Sequence, residues 1–107
     1  MSESPEDRAV DRLIVDIEKM QEALEGVADE IDRLLASGER PTSKQAKLWL
    51  GGLHAAKTLL ERGVRLVDSP DVPTLVVLRI SPVLDSFKQT MQRNLAAITQ
   101  LRQQIES

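Results

Sequence analysis

The sequence predicts an all-α fold, a long antiparallel helical hairpin plus a third long helix forming a bundle, with closure as a homodimer. Three observations carry that expectation. Between Val10 and Leu34, apolar residues recur in sevens: Val10, Ile17, Leu24 and Ile31 at one position, and Leu13, Met20, Val27 and Leu34 at the other. A strand alternates faces at every residue, whereas a helix gathers all eight on one stripe. A similar spacing returns after a short break, in Ala46, Trp49, Leu53, Ala56, Leu60, Gly63 and Val67. Finally, the only aromatic residues are Trp49 and Phe87, so the core is built from Leu, Val, Ile and Ala, which suits helices packed side by side.

The 107 residues are one domain's worth of chain, expected as a single helical domain spanning 1–107. Helix one is expected over about 5–36. Ser4-Pro5-Glu6-Asp7 supplies a capping hydroxyl, a proline at the first helical position and acids at the positive end of the dipole. Ser37-Gly38 supplies the stop, because glycine accepts the left-handed conformation of a C-cap. Apolar flanking residues beside the seam (Ile14, Ala28, Leu35) widen the stripe beyond that of a two-stranded coiled coil and ask for more than one neighbour.

Helix two is expected over about 43–67, opened by the capping-box pattern Thr42-Ser43-Lys44-Gln45. The short linker Glu39-Arg40-Pro41 makes it antiparallel to helix one. Gly51 and Gly52 in its interior cost about 1 kcal/mol each relative to alanine. The expected compensation is close approach of a neighbouring backbone, with a symmetric dimer crossing as one form of it.

Residues 68–80 are open to three readings: irregular chain, a short helix or a strand. Asp68-Ser69-Pro70-Asp71-Val72-Pro73 breaks the helix, and Thr74 to Ile80 is β-branched and apolar on both faces. A lone strand lacks a partner in an otherwise helical chain, which tilts the reading toward a short helix. Helix three is expected over about 82–106, because Ser81-Pro82 repeats the cap-then-proline pattern of Ser4-Pro5. Its stripe is Leu84, Phe87, Met91, Leu95, Ile98, Leu101 and Ile105, with Asn94 on the seam as a polar residue able to fix register.

Charge is unevenly spread within a net −3. Glu6 to Ala36 carries ten acids and four bases, whereas Arg40 to Arg65 carries six bases and one acid. Paired as antiparallel neighbours, the two segments would set register through opposite flanks. The ladder Glu18, Glu22, Glu25, Asp29 and Asp32 lies opposite the seam and reads as a solvated outer face.

Chemistry is largely excluded. There is no cysteine, His54 is the single histidine, and the acids point away from the seam, so neither a zinc site nor a carboxylate-bridged metal pair can be assembled. No phosphate-binding glycine loop and no metalloprotease motif is present, and nothing positions a catalytic triad. The expectation is a protein that is not an enzyme, with no catalytic residues, no metal and no cofactor. The N-terminus lacks a basic patch followed by an apolar run, and no apolar stretch spans a bilayer, which points to a cytoplasmic protein without membrane contact.

What remains is recognition through helical surfaces. The expected function is protein–protein interaction, as a small regulatory adaptor, chaperone or antiactivator-like protein that sequesters a partner. The expected partner or dimer surface is Leu75, Val76, Val77, Leu78 and Ile80 with Phe87 and Met91, which carry few flanking charges. An alternative is a nucleic-acid accessory protein using Lys44, Lys47, Lys57, Arg62 and Arg65 to neutralise phosphates. A third is a structural subunit of a phage or secretion assembly.

Overall fold

In the computed structural model of the chain, residues 5–107 are described, with side chains from Arg8 onward. Three helices account for nearly all of them: α1 (Pro5–Ser37), α2 (Ser43–Asp68) and α3 (Thr74–Glu106). They form an elongated bundle of 56 × 22 × 18 Å. No strand occurs among the described residues.

Helix α1 ends as its sequence signals. Gly38 adopts φ +75°, and its N–H donates to the Leu34 carbonyl at 2.9 Å. Ser4, expected as the N-cap, lies outside the described residues. At α2 the capping box is complete: Gln45 N–H donates to Thr42 Oγ1 at 3.1 Å, and Thr42 N–H donates to Gln45 Oε1 at 2.8 Å. The same Gln45 donates its Nε2 to Glu30 at 2.8 Å, tying the start of α2 to α1.

The expected boundary at Ser81-Pro82 is not a boundary. Helix α3 starts at Thr74 and runs through Pro82 without interruption. Proline at this position removes one backbone donor, the one that would reach the Leu78 carbonyl. Both Pro82 and Leu78 face solvent, where water can serve that carbonyl. Inward-facing Val76 and Ile80, meanwhile, gain burial by continuing the stripe of Leu84 and Phe87. Packing outweighs both the local start signal and the β-propensity of residues 74–80.

The helices run up, down and up. Asp11 pairs with Arg79, Gln21 Nε2 donates to Ser86 Oγ and Thr90 Oγ1 (2.8 and 3.1 Å), and Arg93 reaches Asp29 and Asp32. These contacts advance together along both chains, so α1 and α3 lie parallel, and α2 lies antiparallel to each. The main core joins Leu13, Ile17 and Leu24 of α1, Ala56 and Leu59 of α2, and Ile80, Leu84 and Phe87 of α3. A second cluster, Ile31, Trp49, Ala97 and Leu101, closes the other end.

Two further expectations are corrected. Apart from the adjacent residues and backbone of α2 itself, no atom lies within 4 Å of a Cβ built on Gly51 or Gly52, so no neighbouring helix of the chain approaches them closely. The close approach occurs at Gly63, against Leu84. Nor do the acidic and basic flanks of α1 and α2 pair: among the described residues, the ion pairs between helices join α1 to α3. The bases on α2 are exposed, and among the described residues none lies within ion-pair distance of an acid on α1.

Candidate interaction surfaces

The seven apolar residues expected as one surface divide between interior and exterior. Helical geometry turns Val76, Ile80 and Phe87 inward, where they are buried and hold the bundle together, so they form no part of an exposed docking stripe. Val77 and Met91 are half-buried. Leu75 and Leu78 point outward, 74% and 64% exposed. One turn apart, and followed one turn later by exposed Pro82, they form a short apolar stripe on the outer side of α3. Had residues 74–80 been a strand, alternate residues would have shared a face; in a helix the division follows a three-and-four spacing.

Sequence reasoning missed other exposed apolar side chains. Leu48 and Leu50 near the start of α2, Leu95 on α3 and Val15 on α1 are all exposed. Leu95 was expected on the buried stripe, but the stripe runs through Asn94 and Ala97 instead. The signal for this was the small size of Ala97, which allows close helix contact at that level.

The five basic residues considered for nucleic acid all lie exposed on α2. Lys44 and Arg62, like Lys47 and Arg65, are separated by about five turns at 3.6 residues per turn, so each pair shares one side of the helix. Arg65 has Glu61 as a neighbour at 4.0 Å, a solvent-exposed pair of small energetic weight. The acidic ladder on α1 is exposed along its length. Its last two members, Asp29 and Asp32, accept from Arg93 Nη2 at 3.0 and 3.3 Å. The hydrogen bond to Asp29, joined by that to Asp32, holds the Arg93 guanidinium above its usual pKa.

One polar side chain is wholly interior. Asn94 is fully buried and donates Nδ2 to the Leu24 carbonyl at 2.8 Å and to the Thr90 carbonyl at 3.2 Å. Its Oδ1 has no hydrogen-bond partner. Two carbonyls facing Nδ2 fix the orientation of the amide, since a flip would set oxygen against oxygen.

Among the described residues, two of the clefts lie at the ends of the bundle. One, of about 390 Å³, lies where α1 begins and α2 passes to α3, over a floor of Val10, Leu13 and Val76. The other, of about 190 Å³, lies beside Trp49 between α2 and the end of α3, and its walls are almost wholly apolar. Among the described residues no group of three or more His, Cys, Asp or Glu side chains is placed to hold a metal ion, and His54 is exposed. No helix among them is long and apolar enough to cross a membrane. Compared with known proteins, the chain matches no family model, no curated protein and no solved structure.

Proposed function

We propose that this chain is a non-enzymatic interaction module, a small adaptor, chaperone or antiactivator-like protein that holds a partner against an apolar helical surface. The observation that carries the reading is the stripe of Leu75 and Leu78, two large side chains that the bundle leaves in water. Covering a leucine that is otherwise exposed contributes about 1.5–3 kcal/mol, so two on one stripe supply about 3–6 kcal/mol toward the cost of association with a helical partner. A second copy of the chain is one such partner, and the homodimer expected from the sequence belongs to this proposal.

The test is a double variant, Leu75→Glu with Leu78→Glu, compared with wild type by affinity capture and by light scattering after size exclusion. Both positions are exposed, so helicity and the unfolding midpoint should hold while the captured partner, or the dimer mass, is lost. A variant that keeps both partner and mass removes this surface from consideration.

A second reading rests on a separate observation, the exposure of Lys44, Lys47, Lys57, Arg62 and Arg65 along α2. In it, α2 contacts nucleic-acid phosphates. Binding to duplex DNA should then fall steeply with salt and weaken when Lys47 and Lys57 are replaced by Gln. Binding that is absent at low salt rejects it. Large, regular oligomers in the light-scattering experiment would instead favour a structural subunit of an assembly.

A further inference from the structure

The cleft at the start of α1 joins an apolar interior to an unpaired cation. Its floor is Val10, Leu13 and Val76, core residues whose outer edges line the cleft, and half-buried Leu66 forms a wall. Arg62 reaches the same cleft from α2, and Asp71 reaches it from the connector between α2 and α3. Among the described residues, neither makes an ion pair with the other or with any third group. The volume, about 390 Å³, falls within the range of small-molecule sites.

The cleft carries one charge of each sign, so the choice of ligand rests on the chemistry of the guanidinium and on the basic stretch it belongs to. Arg62 belongs to the basic stretch Arg40 to Arg65, in which Glu61 is the lone acid, and Arg65 lies one turn further along α2. A guanidinium is always charged, is less strongly hydrated than an ammonium and presents paired N–H donors that fit a carboxylate. Asp71 is a single short side chain on the connector. The geometry points to a site for a small aliphatic carboxylate, its chain on Val10, Leu13, Val76 and Leu66 and its head group on Arg62. This site is separate from the Leu75–Leu78 stripe, and each can fail without the other.

The probes are sodium octanoate, 1-octanol and octylammonium chloride, titrated into the full-length protein with backbone amides followed by NMR. Octanoate should give saturable shifts centred on Ala9, Leu66 and Val76. It should bind more tightly than octanol, with octylammonium the weakest. Hexanoate should bind about fifteenfold more weakly than octanoate, since each of the two lost methylenes contributes about fourfold. Arg62→Gln should weaken octanoate at least fivefold and leave octanol unchanged, whereas Asp71→Asn should strengthen octanoate. Three results overturn the proposal: no saturable shifts at these amides, tighter binding of octylammonium than of octanoate, or equal octanoate affinity in wild type and Arg62→Gln. The ligand series on wild type decides the matter even if a variant folds poorly.

Discussion

A Cβ built on Gly63 would overlap Leu84 Cδ2 and lie 3.4 Å from Leu84 Cγ, so the absence of a side chain at Gly63 lets α2 and α3 approach. Leu84 belongs to the same core cluster as Phe87, so a methyl group at Gly63 would have to displace the end of a packed leucine. Gly63→Ala should therefore destabilise, because about 1–3 kcal/mol of overpacking exceeds about 1 kcal/mol of gained helix propensity. Gly51→Ala and Gly52→Ala meet open space and should each stabilise by about 1 kcal/mol. Urea unfolding of the three variants tests the contrast. Equal midpoint shifts at Gly63 and Gly52 would show that Leu84 yields freely.

Asn94 places an amide in the parallel α1–α3 seam and leaves its Oδ1 without a partner. Such a residue specifies alignment at a cost in stability. Asn94→Leu should raise stability by about 1 kcal/mol, since the two carbonyls that lose Nδ2 belong to helices with backbone partners of their own. Urea titration followed by circular dichroism measures this. A loss greater than about 1 kcal/mol would mean that the hydrogen bond to Leu24 outweighs the orphaned oxygen.

Pro82 interrupts the backbone ladder of α3 on its exposed side. Pro82→Ala restores the donor for Leu78 and should raise the thermal midpoint, with a gain of about 1–3 kcal/mol. An unchanged or lower midpoint would indicate that the exposed proline ring is needed where it stands.

Trp49 is 6% exposed, between Ile31 on α1 and Ala97 and Leu101 on α3, with the smaller cleft at its side. Its removal in Trp49→Ala should cost about 3–5 kcal/mol. As the single tryptophan, it should also report unfolding of that end through a red shift in wild-type emission. A blue-shifted signal that persists after the far-UV signal is lost would contradict its place in a cooperative core.

Much of the architecture was legible in the chain. The seam of α1, the Thr42–Gln45 capping box and the stop at Gly38 each depend on neighbours within one turn, and each is present in the fold. Residues 74–80 were less legible because two local signals, β-branched composition and a proline preceded by serine, favour other outcomes there. The spacing of Val76, Ile80, Leu84 and Phe87 by four, four and three crosses Ser81-Pro82 without a break, and it was the stronger clue. Of the expected surface, the mixture was legible but not its division. Which of Leu75 to Ile80 face water depends on where α1 lies, as the Asp11–Arg79 pair shows.

The sequence by itself determined the helices, most of their ends and the up-down order of the hairpin, because periodicity, caps and short loops act locally. Only the tertiary structure decided that α3 lies parallel to α1, that close contact falls at Gly63 rather than at Gly51-Gly52, and that Val76, Ile80 and Phe87 are core while Leu75 and Leu78 remain outside. The physical reason is that burial is a property of the assembled bundle. A helix fixes which residues share a face, but the neighbouring helices decide which face loses its water.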